Sequence, residues 1–420
     1  MTRRSDAAFL LAAAGLGLVL RLAFGLGYWT NEVLTRDEHE YLSLARSLTA
    51  GRGFVYDDAL PPAEFMPFGR APGYPAFVAL AGGGRTVATS TPTGVKIAQS
   101  IAGAIGVVIV GVLAGRLAGR RALRVAAVLA AVYPPLVWIA AYVYSEALFW
   151  PIGLAVVWLF DRAATSRDGA VKWAALCGVV AGAAILIRPA LLLFMPLAAL
   201  WLLQQRRIGA AMALTIGTLA IVAPWTARNY AHHGKLVLVA SDGGVTFWTG
   251  NHPLAIGEGD MAAVPAIKVA NHALRDAHPG LDEEAMEPVY YREALAWIRA
   301  NPATWIALEA KKLFYTFVPI GPSYRLHSRL YYVATLLSYL PMLALGVAGV
   351  IKLGGARRAS PGLWLMAAAA IAVCLVFFPQ ERFRIPTLDP TLLICAGALL
   401  ASRRAGSIGP PTPRSNGPRV

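Results

Sequence analysis

Long apolar segments separated by short polar ones dominate this chain. Ten of them are rich in Ala, Leu, Val and Gly and run for 15–21 residues. An apolar helix of about 20 residues crosses the hydrocarbon core of a bilayer, which is roughly 30 Å thick. We therefore predict an all-α fold: a polytopic membrane helix bundle with about ten transmembrane helices and additional interfacial helices. The predicted spans are 8–28, 95–115, 122–140, 144–160, 171–187, 189–203, 208–227, 331–351, 361–378 and 386–401.

Two polar segments, 29–94 and 228–330, are much longer than the other connections. Neither contains an apolar run long enough to span, so the apolar stretches 74–81 and 303–319 are predicted to be interfacial helices. No small-residue cleavage site follows the first apolar run, which is expected to stay as the first span. The predicted units are a transmembrane module 1–227 that includes the loop 29–94, the polar segment 228–330, the C-terminal helices 331–401 and a disordered tail 402–420.

Glycines recur at four-residue spacing inside the apolar runs. One set is Gly111, Gly115 and Gly119, and another is Gly178 and Gly182. Small residues at this spacing let helix backbones approach one another closely in lipid. We interpret all five as helix-packing positions.

The charged residues support the membrane interpretation and orient the chain. Only 15% of the residues are charged, against about 25% in soluble domains. Under the predicted topology the side of the termini carries 18 basic and 3 acidic residues, and the opposite side carries 19 and 20. Basic residues concentrate in cytoplasmic loops. We therefore expect both termini in the cytoplasm of a bacterial plasma membrane, with 29–94 and 228–330 outside. The net charge of +15 follows from this topology and needs no nucleic-acid partner.

Several kinds of chemistry are excluded by the sequence. The Gly-rich stretch 82–84 is not followed by the Lys-Ser/Thr of a phosphate-binding loop, and His39-Glu40 lacks the second His of a zinc protease. No cofactor is expected; no residue pattern indicates a divalent metal, and the sequence leaves open whether one assists. Because no cytoplasmic loop is large enough to bind a nucleotide, any group transfer would take place outside, with a donor delivered through the membrane.

Acidic candidates lie at the outer ends of two spans. Asp37 and Glu38 follow the first span and could act as a general base and its orienting partner. The same stretch also fits a helix start, in which Asp37 and Glu40 form a capping box for a helix that runs to about Leu48. The two interpretations are compatible. Glu146, at the outer end of the fourth span, is a further candidate because an acid entering an apolar helix is costly; the alternative is a side chain that reaches to the interface.

Basic residues also collect at the outer interface. The planar guanidinium of arginine suits bidentate binding of a phosphate. Any one of these residues could instead anchor to lipid headgroups or form a surface ion pair, but their common depth favours a shared phosphate site. In the turn 70–75, the prolines are expected to hold Arg70 and Tyr74 against the membrane face. The other arginines of this group are Arg188, Arg228, Arg382 and Arg384.

At these residues the chain resembles a known family over most of its length. It is similar to the bacterial relatives of the dolichyl-phosphate-mannose protein mannosyltransferases, glycosyltransferase family 39 in the broad sense, which have the membrane-embedded GT-C fold. The similarity is carried by short motifs in a fixed order. They are the stretch 37–41 after the first span, the turn 70–75, Ser145-Glu146, Arg188-Pro189, and the stretches 224–230, 243–251 and 382–386.

The resemblance implies inverting transfer of a sugar from a polyprenyl-phosphate donor to an acceptor hydroxyl on the extracytoplasmic face. It also implies that Asp37 is the base, and we assign supporting roles to Glu38 and Glu146. Larger members of the family carry a sizeable C-terminal soluble domain, so acceptor binding is expected here in 228–304. We assign the donor phosphate to Arg384, supported by Arg70, Arg228 and Arg382, and contacts with the substrate to Tyr41 and Tyr74.

Two other functions are weighed against this one. A non-enzymatic carrier or flippase for polyprenyl phosphate or lipid-linked sugars would use the same arginines but would not need Asp37. Such transporters usually show internal repeats and polar, broken helices at mid-membrane, which are not evident in this sequence. A structural scaffold would not need the outer arginines. The sequence favours the transferase and leaves open which sugar is moved and whether the acceptor is a glycan, a lipid or a protein.

Overall fold

Helices form almost all of the regular structure. The computed structural model describes residues 2–29, 31–60, 69–85, 87, 90–166, 168–326, 328–353 and 360–402. Within these residues the only β pairing is an isolated bridge between Glu32 and Ser90. The all-α fold class is therefore confirmed, whereas the predicted tail lies, apart from Ser402, outside the described residues.

The described part of the chain folds into a succession of α-helices of very different lengths. In chain order they are α1 (Thr2–Leu22), α2 (Arg36–Thr49), α3 (Gly73–Leu80), α4 (Thr93–Val132), α5 (Pro134–Trp138), α6 (Ser145–Thr165), α7 (Ala170–Ile187), α8 (Phe194–Gln204), α9 (Ile208–His233), α10 (Gly243–Gly250), α11 (Pro265–Asp276), α12 (Glu283–Ala300), α13 (Pro302–Phe317), α14 (Arg329–Lys352), α15 (Pro361–Val376), α16 (Glu381–Arg384) and α17 (Leu388–Ser402). A π-helical turn, Ala23–Tyr28, extends α1.

Six helices of the described residues are long and apolar enough to cross a membrane. Three shorter apolar helices cover 189–204, 361–376 and 388–402. One long helix, α4, is a hairpin, because the backbone leaves helical geometry at Ala118 and Gly119. Counting both of its arms, ten apolar helical segments correspond to the ten predicted spans. The multi-pass membrane bundle is confirmed, and membrane crossing by the three shorter helices stays a prediction.

The predicted glycine positions divide into two roles. Gly178 on α7 lies against the Leu214 carbonyl of α9, and Gly182 lies close to Thr218 on the same helix. These glycines pack helices as predicted. Gly119 does not, because its φ of 81° places it at the turn between the two arms of α4. This left-handed conformation favours glycine, so the packing interpretation was wrong for Gly119.

The outer segment forms a small helical layer of its own. α10, α11 and α12 enclose an apolar cluster that includes Trp248, Ile267, Met286 and Tyr290. The predicted helices 74–81 and 303–319 correspond to α3 and α13. At 16 residues α13 is shorter than the helices that can span. Its interfacial position stays a prediction.

A buried polar contact joins this outer layer to the end of α15. Lys312, on α13, is fully buried and donates from Nζ to Asn251 Oδ1 at 3.0 Å and to the Leu375 carbonyl at 2.8 Å. Asn251 in turn donates to the Val376 carbonyl at 2.9 Å. Gly250 lies directly against the Phe377 carbonyl, where a Cβ would not fit. These contacts fix the chain just before α16, which carries two of the candidate arginines.

Candidate active site

The first candidate acids lie at the start of α2. Thr35 is the N-cap: its hydroxyl accepts from the Glu38 backbone N–H at 3.4 Å, and Glu38 Oε2 accepts from the Thr35 N–H at 3.1 Å. The predicted capping box of Asp37 with Glu40 was therefore wrong, because the helix begins one residue before Asp37 and uses a threonine as its cap. Asp37 has no capping role and its carboxylate is available for other partners.

Two arginines hold Asp37 from opposite sides. Arg70 Nη2 lies 2.6 Å from Oδ1, and Arg382 Nη1 lies 2.5 Å from Oδ2. Burial favours the neutral acid, but the positive charges of Arg70 and Arg382 outweigh it and hold the pKa of Asp37 well below its usual range. Asp37 is thus a carboxylate at neutral pH, with one guanidinium on each oxygen.

Arg70 is the more firmly held of the two arginines. Besides Asp37 it contacts Glu40, with Nε 2.6 Å from Oε2, and Asp242, with Nη1 3.5 Å from Oδ2. Its guanidinium also lies over the Tyr41 ring at 5.6 Å. Arg70 therefore connects the first outer loop to the segment 228–330 at one point.

A second acid–base pair stands beside Arg382. Glu146, at the start of α6, lies 2.8 Å from Arg188 Nη1, and its other oxygen accepts from the Ser145 hydroxyl at 3.2 Å. The guanidinium groups of Arg188 and Arg382 both pack on the Phe383 ring, at 5.1 and 5.3 Å. Two cations are thus placed side by side, and only one of them is paired with Asp37.

Asp37, Arg70, Arg188 and Arg382 line a cavity of about 750 Å³, whereas the predicted residue Glu146 does not. One part of its lining is polar and one part is apolar, as expected of a site for an amphiphilic ligand. The polar lining includes Arg36, Asp37, Glu40, Arg70, Arg188 and Arg382. The apolar lining includes Leu192, Leu193, Val373, Val376, Phe377 and Phe378.

Three acids of the cavity were not predicted. Asp242, Asp260 and Glu287 come from the segment 228–330 and line the same space. Glu287 Oε1 accepts from the Gly244 N–H at 2.7 Å, and burial raises the pKa of this carboxyl. One feature of the sequence could have pointed to Asp242: it directly precedes the glycine pair of the 243–251 motif.

Arg384 is absent from the lining of this cavity. It is 2% exposed, its Nε lies 2.8 Å from Asp389 Oδ1, and its guanidinium lies 3.4 Å from the centre of the Tyr339 ring. Tyr133 donates to the other oxygen of Asp389 at 2.8 Å. The structure therefore places Arg384 in a sealed ion pair, although its neighbour Arg382 faces the cavity.

Two further predicted residues have structural contacts and do not line the cavity. Tyr74 is fully buried and donates to Gln99 Oε1 at 2.7 Å, while its ring packs edge-on against Tyr41 at 4.7 Å. Glu38 is also buried, and it accepts from the Val143 N–H at 3.0 Å in addition to capping α2. Of the predicted substrate contacts, Tyr41 alone lines the cavity.

Arg228 lines a second, smaller cavity of about 230 Å³. α9 continues to His233, six residues beyond the predicted span, so Arg228 sits on a helix. Its guanidinium lies 4.9 Å from the Trp225 ring, and the lining also includes Ser241 and Glu284. Arg70 borders both cavities.

The acid at the centre of the larger cavity is neutralised by arginine side chains. Among the residues that the structure describes, no three His, Cys, Asp or Glu side chains lie together as metal ligands. Arg70 and Arg382 each place a positive charge beside Asp37.

Part of the chain matches a known family profile. Residues 71–227 match the family profile described as dolichyl-phosphate-mannose-protein mannosyltransferase. The predicted resemblance is confirmed over this part of the chain. No curated protein sequence matches the chain.

Solved structures of a larger protein share the fold. The archaeal oligosaccharyltransferase AglB from Archaeoglobus fulgidus, in complex with an inhibitory peptide and a dolichol-phosphate, superimposes with a TM-score of 0.51 at 14% identity, covering 98% of this chain and 52% of that one. The same enzyme tethered to an acceptor peptide gives 0.55 at 16% identity, with coverage of 96% and 50%. The chain thus spans about half the length of this neighbour, and its GT-C-like membrane fold is confirmed.

A third structure is similar over a larger share of its own length. ArnT from Cupriavidus metallidurans, bound to undecaprenyl phosphate, matches with a TM-score of 0.42 at 14% identity. The match covers 97% of this chain and 79% of that one.

Proposed function

We propose that this chain is an inverting membrane glycosyltransferase. It would move a sugar from a polyprenyl-phosphate donor to an acceptor hydroxyl on the extracytoplasmic side. The observation that carries the proposal is an ionised aspartate, Asp37, flanked by Arg70 and Arg382 inside a cavity that is polar on one side and apolar on the other.

The donor would lie across the two halves of the cavity. Its polyprenyl chain suits the apolar side chains of α15 and of the turn before α8, such as Leu192 and Val376. Its phosphate suits Arg382 and Arg188, which share the Phe383 ring. A guanidinium–phosphate contact is typically worth about 1.5–3 kcal/mol, so the two arginines supply both affinity and orientation.

The reaction would be a single displacement. The acceptor oxygen forms a bond to the anomeric carbon while the bond from that carbon to the phosphate oxygen breaks. The acceptor proton passes to the carboxylate of Asp37, and the electron pair leaves with the polyprenyl phosphate. Fixed cations stabilise the charge that develops on the phosphate, so no general acid is needed. Attack from the face opposite the phosphate inverts the configuration.

The sugar itself would be held by the acids of the outer layer. Asp242, Asp260 and Glu287 line the cavity next to Asp37. Carboxylates accept hydrogen bonds from hydroxyl groups, which suits a polyol and supports a carbohydrate as the transferred group.

The acceptor would approach from the smaller cavity, beyond Arg70. Its lining combines the Trp225 ring with polar groups of Ser241 and Glu284, a composition typical of sites for polar organic molecules. We expect Trp225→Ala to raise the acceptor KM by about threefold to tenfold, since aromatic contacts are worth roughly 0.5–1.5 kcal/mol, and to leave donor-lipid binding unchanged. Weaker donor binding in this variant would instead support the sequence-based assignment of Arg228 to the donor phosphate.

The proposed topology puts both termini in the cytoplasm of a bacterial plasma membrane. It rests on the uneven distribution of basic residues. A single cysteine introduced at Asp260 should react with a membrane-impermeant reagent in intact cells. Reaction only after the membrane is permeabilised would reverse the orientation.

The decisive experiment is an assay of the purified protein in lipid nanodiscs with a panel of polyprenyl-phosphate sugars. Release of polyprenyl phosphate from one of them, dependent on Asp37, would support the transferase. A carrier would bind these lipids and move them across the bilayer equally well with Asp37→Asn. Binding of no polyprenyl-phosphate lipid would overturn both functions.

A further inference from the structure

Both oxygens of the proposed base are occupied in this structure. Arg70 takes Oδ1 of Asp37 and Arg382 takes Oδ2. A general base works best with a pKa near the operating pH and within reach of the proton that it accepts. In this structure each oxygen of Asp37 is held by a guanidinium, and the two positive charges keep the pKa of Asp37 well below its usual range.

Arg70 and Arg382 differ in how many acid partners they have besides Asp37. Arg70 is 13% exposed and has two further acid partners, Glu40 and Asp242. Arg382 is 30% exposed. Among the described residues, Asp37 is the one acid within ion-pair distance of Arg382, whose other polar contact is with Gln380 at 3.2 Å. If it turned away from Asp37, Arg382 would therefore break fewer ion pairs than Arg70 would.

An anion entering the cavity would compete for that guanidinium. Arg382 lines the polar end of the cavity beside Arg188. A phosphate there would face both cations at once, whereas Asp37 holds only one side of Arg382. The carboxylate and the phosphate are thus alternative partners for the same group.

We propose that the donor phosphate displaces Asp37 from Arg382, so that the base becomes available only after the donor has bound. This inference rests on the proposed function and adds an order to it: donor first, deprotonation of the acceptor second. Asp37 keeps Arg70, which continues to orient it through Glu40 and Asp242.

The same exchange resets the site after transfer. Asp37 then carries the proton taken from the acceptor, and Arg382 is bound to the phosphate of the product. When the polyprenyl phosphate leaves, Arg382 returns to Asp37 and favours its charged form. The proton is released to water in the cavity, and the original state is restored.

The test is binding of undecaprenyl phosphate, without a sugar, to the purified full-length protein. We expect Asp37→Asn to bind this lipid at least about tenfold more tightly than the unaltered protein, because the competing charge is gone while the side-chain shape is kept. In the background of Arg382→Ala, Asp37→Asn should bring little or no gain, since the contested cation is absent.

A matched control is Asp57→Asn. Asp57 also lies in the first outer loop and is also paired with an arginine, Arg46, at 2.5 Å, but it lines neither cavity. Its replacement should leave lipid binding unchanged. Thermal unfolding of each variant verifies that it is folded.

The outcomes separate this inference from the function on which it rests. Binding by the unaltered protein with equal or weaker binding by Asp37→Asn would overturn the displacement and leave the transferase intact. An equal gain with and without Arg382 would show that Asp37 acts by general repulsion and would also overturn it. No binding of undecaprenyl phosphate by any variant would contradict the proposed donor class.

Discussion

Arg382 and Arg384 stand two residues apart in one short helix, and each pairs with an aspartate. The side chains of Asp37 and Arg382 are 19% and 30% exposed and border a large cavity. Those of Asp389 and Arg384 are 0% and 3% exposed and are enclosed by Tyr133 and Tyr339. The pairs have the same chemistry, but only the first can exchange its partner for a ligand. Access to the cavity, and not the kind of residue, distinguishes the two pairs.

The strongest test of this comparison is Asp37→Asn. We expect this variant to fold and to transfer sugar at least a hundredfold more slowly, because a general base typically contributes 10²–10⁴-fold in rate. Initial rates at saturating donor and acceptor measure the effect. Because Thr35 caps α2, a loss of capping cannot explain it. A rate near that of the unaltered protein would mean that the base is elsewhere, and Glu146 would be the next residue to test.

We expect Arg384→Ala to lower the stability of the protein. Removing one partner of a buried ion pair leaves the other charge uncompensated and typically costs about 3–5 kcal/mol. Unfolding in detergent, followed by temperature or denaturant, measures the loss. Arg120→Ala is the control, because Arg120 forms an exposed pair with Asp6 and its loss should change little.

The sequence-based assignment of the donor phosphate to Arg384 remains open to the same experiment. Weaker donor binding by Arg384→Ala at unchanged stability would restore Arg384 as the leading phosphate ligand. It would also remove the contrast between the two arginines.

We expect Arg382→Ala to lower the affinity for the donor lipid. Losing a charge-assisted contact worth about 1.5–3 kcal/mol weakens binding of the donor lipid roughly tenfold to a hundredfold. Arg382→Lys should recover part of the affinity, since lysine keeps the charge but not the planar fork. Equilibrium binding of a polyprenyl phosphate checks this. An unchanged affinity would exclude Arg382 from the phosphate site.

Glu38→Gln and Glu146→Gln should have the smallest effects, each less than about tenfold on transfer. Glutamine can replace glutamate in a capping box, so the first variant keeps the start of α2. The second releases Arg188 from its acid partner while Asp37 stays in place. A loss as large as that of Asp37→Asn in either variant would move the proton transfer to that residue.

Much of this molecule could be predicted from the order of its residues. Apolar runs of sufficient length must cross the membrane, and the charges between them must lie at its surfaces. This logic located the helices and gathered Asp37, Arg70 and Arg382 at one depth. It also set the polar segment 228–330 apart from the apolar runs as a predicted unit.

What the sequence could not determine was which polar groups touch. The pattern of residues 36–40 allows more than one helix start. In the structure the helix begins at Arg36, because the extended Thr35 caps it. Asp242 and Glu287 reach the cavity only because α10 and α12 fold back over it. Nothing in the motif 382–386 distinguishes the arginine that lines the cavity from the sealed one, since a helix of one turn presents neighbouring residues in different directions. Depth in a membrane is a property of local composition, whereas partners and access depend on contacts between residues hundreds of positions apart.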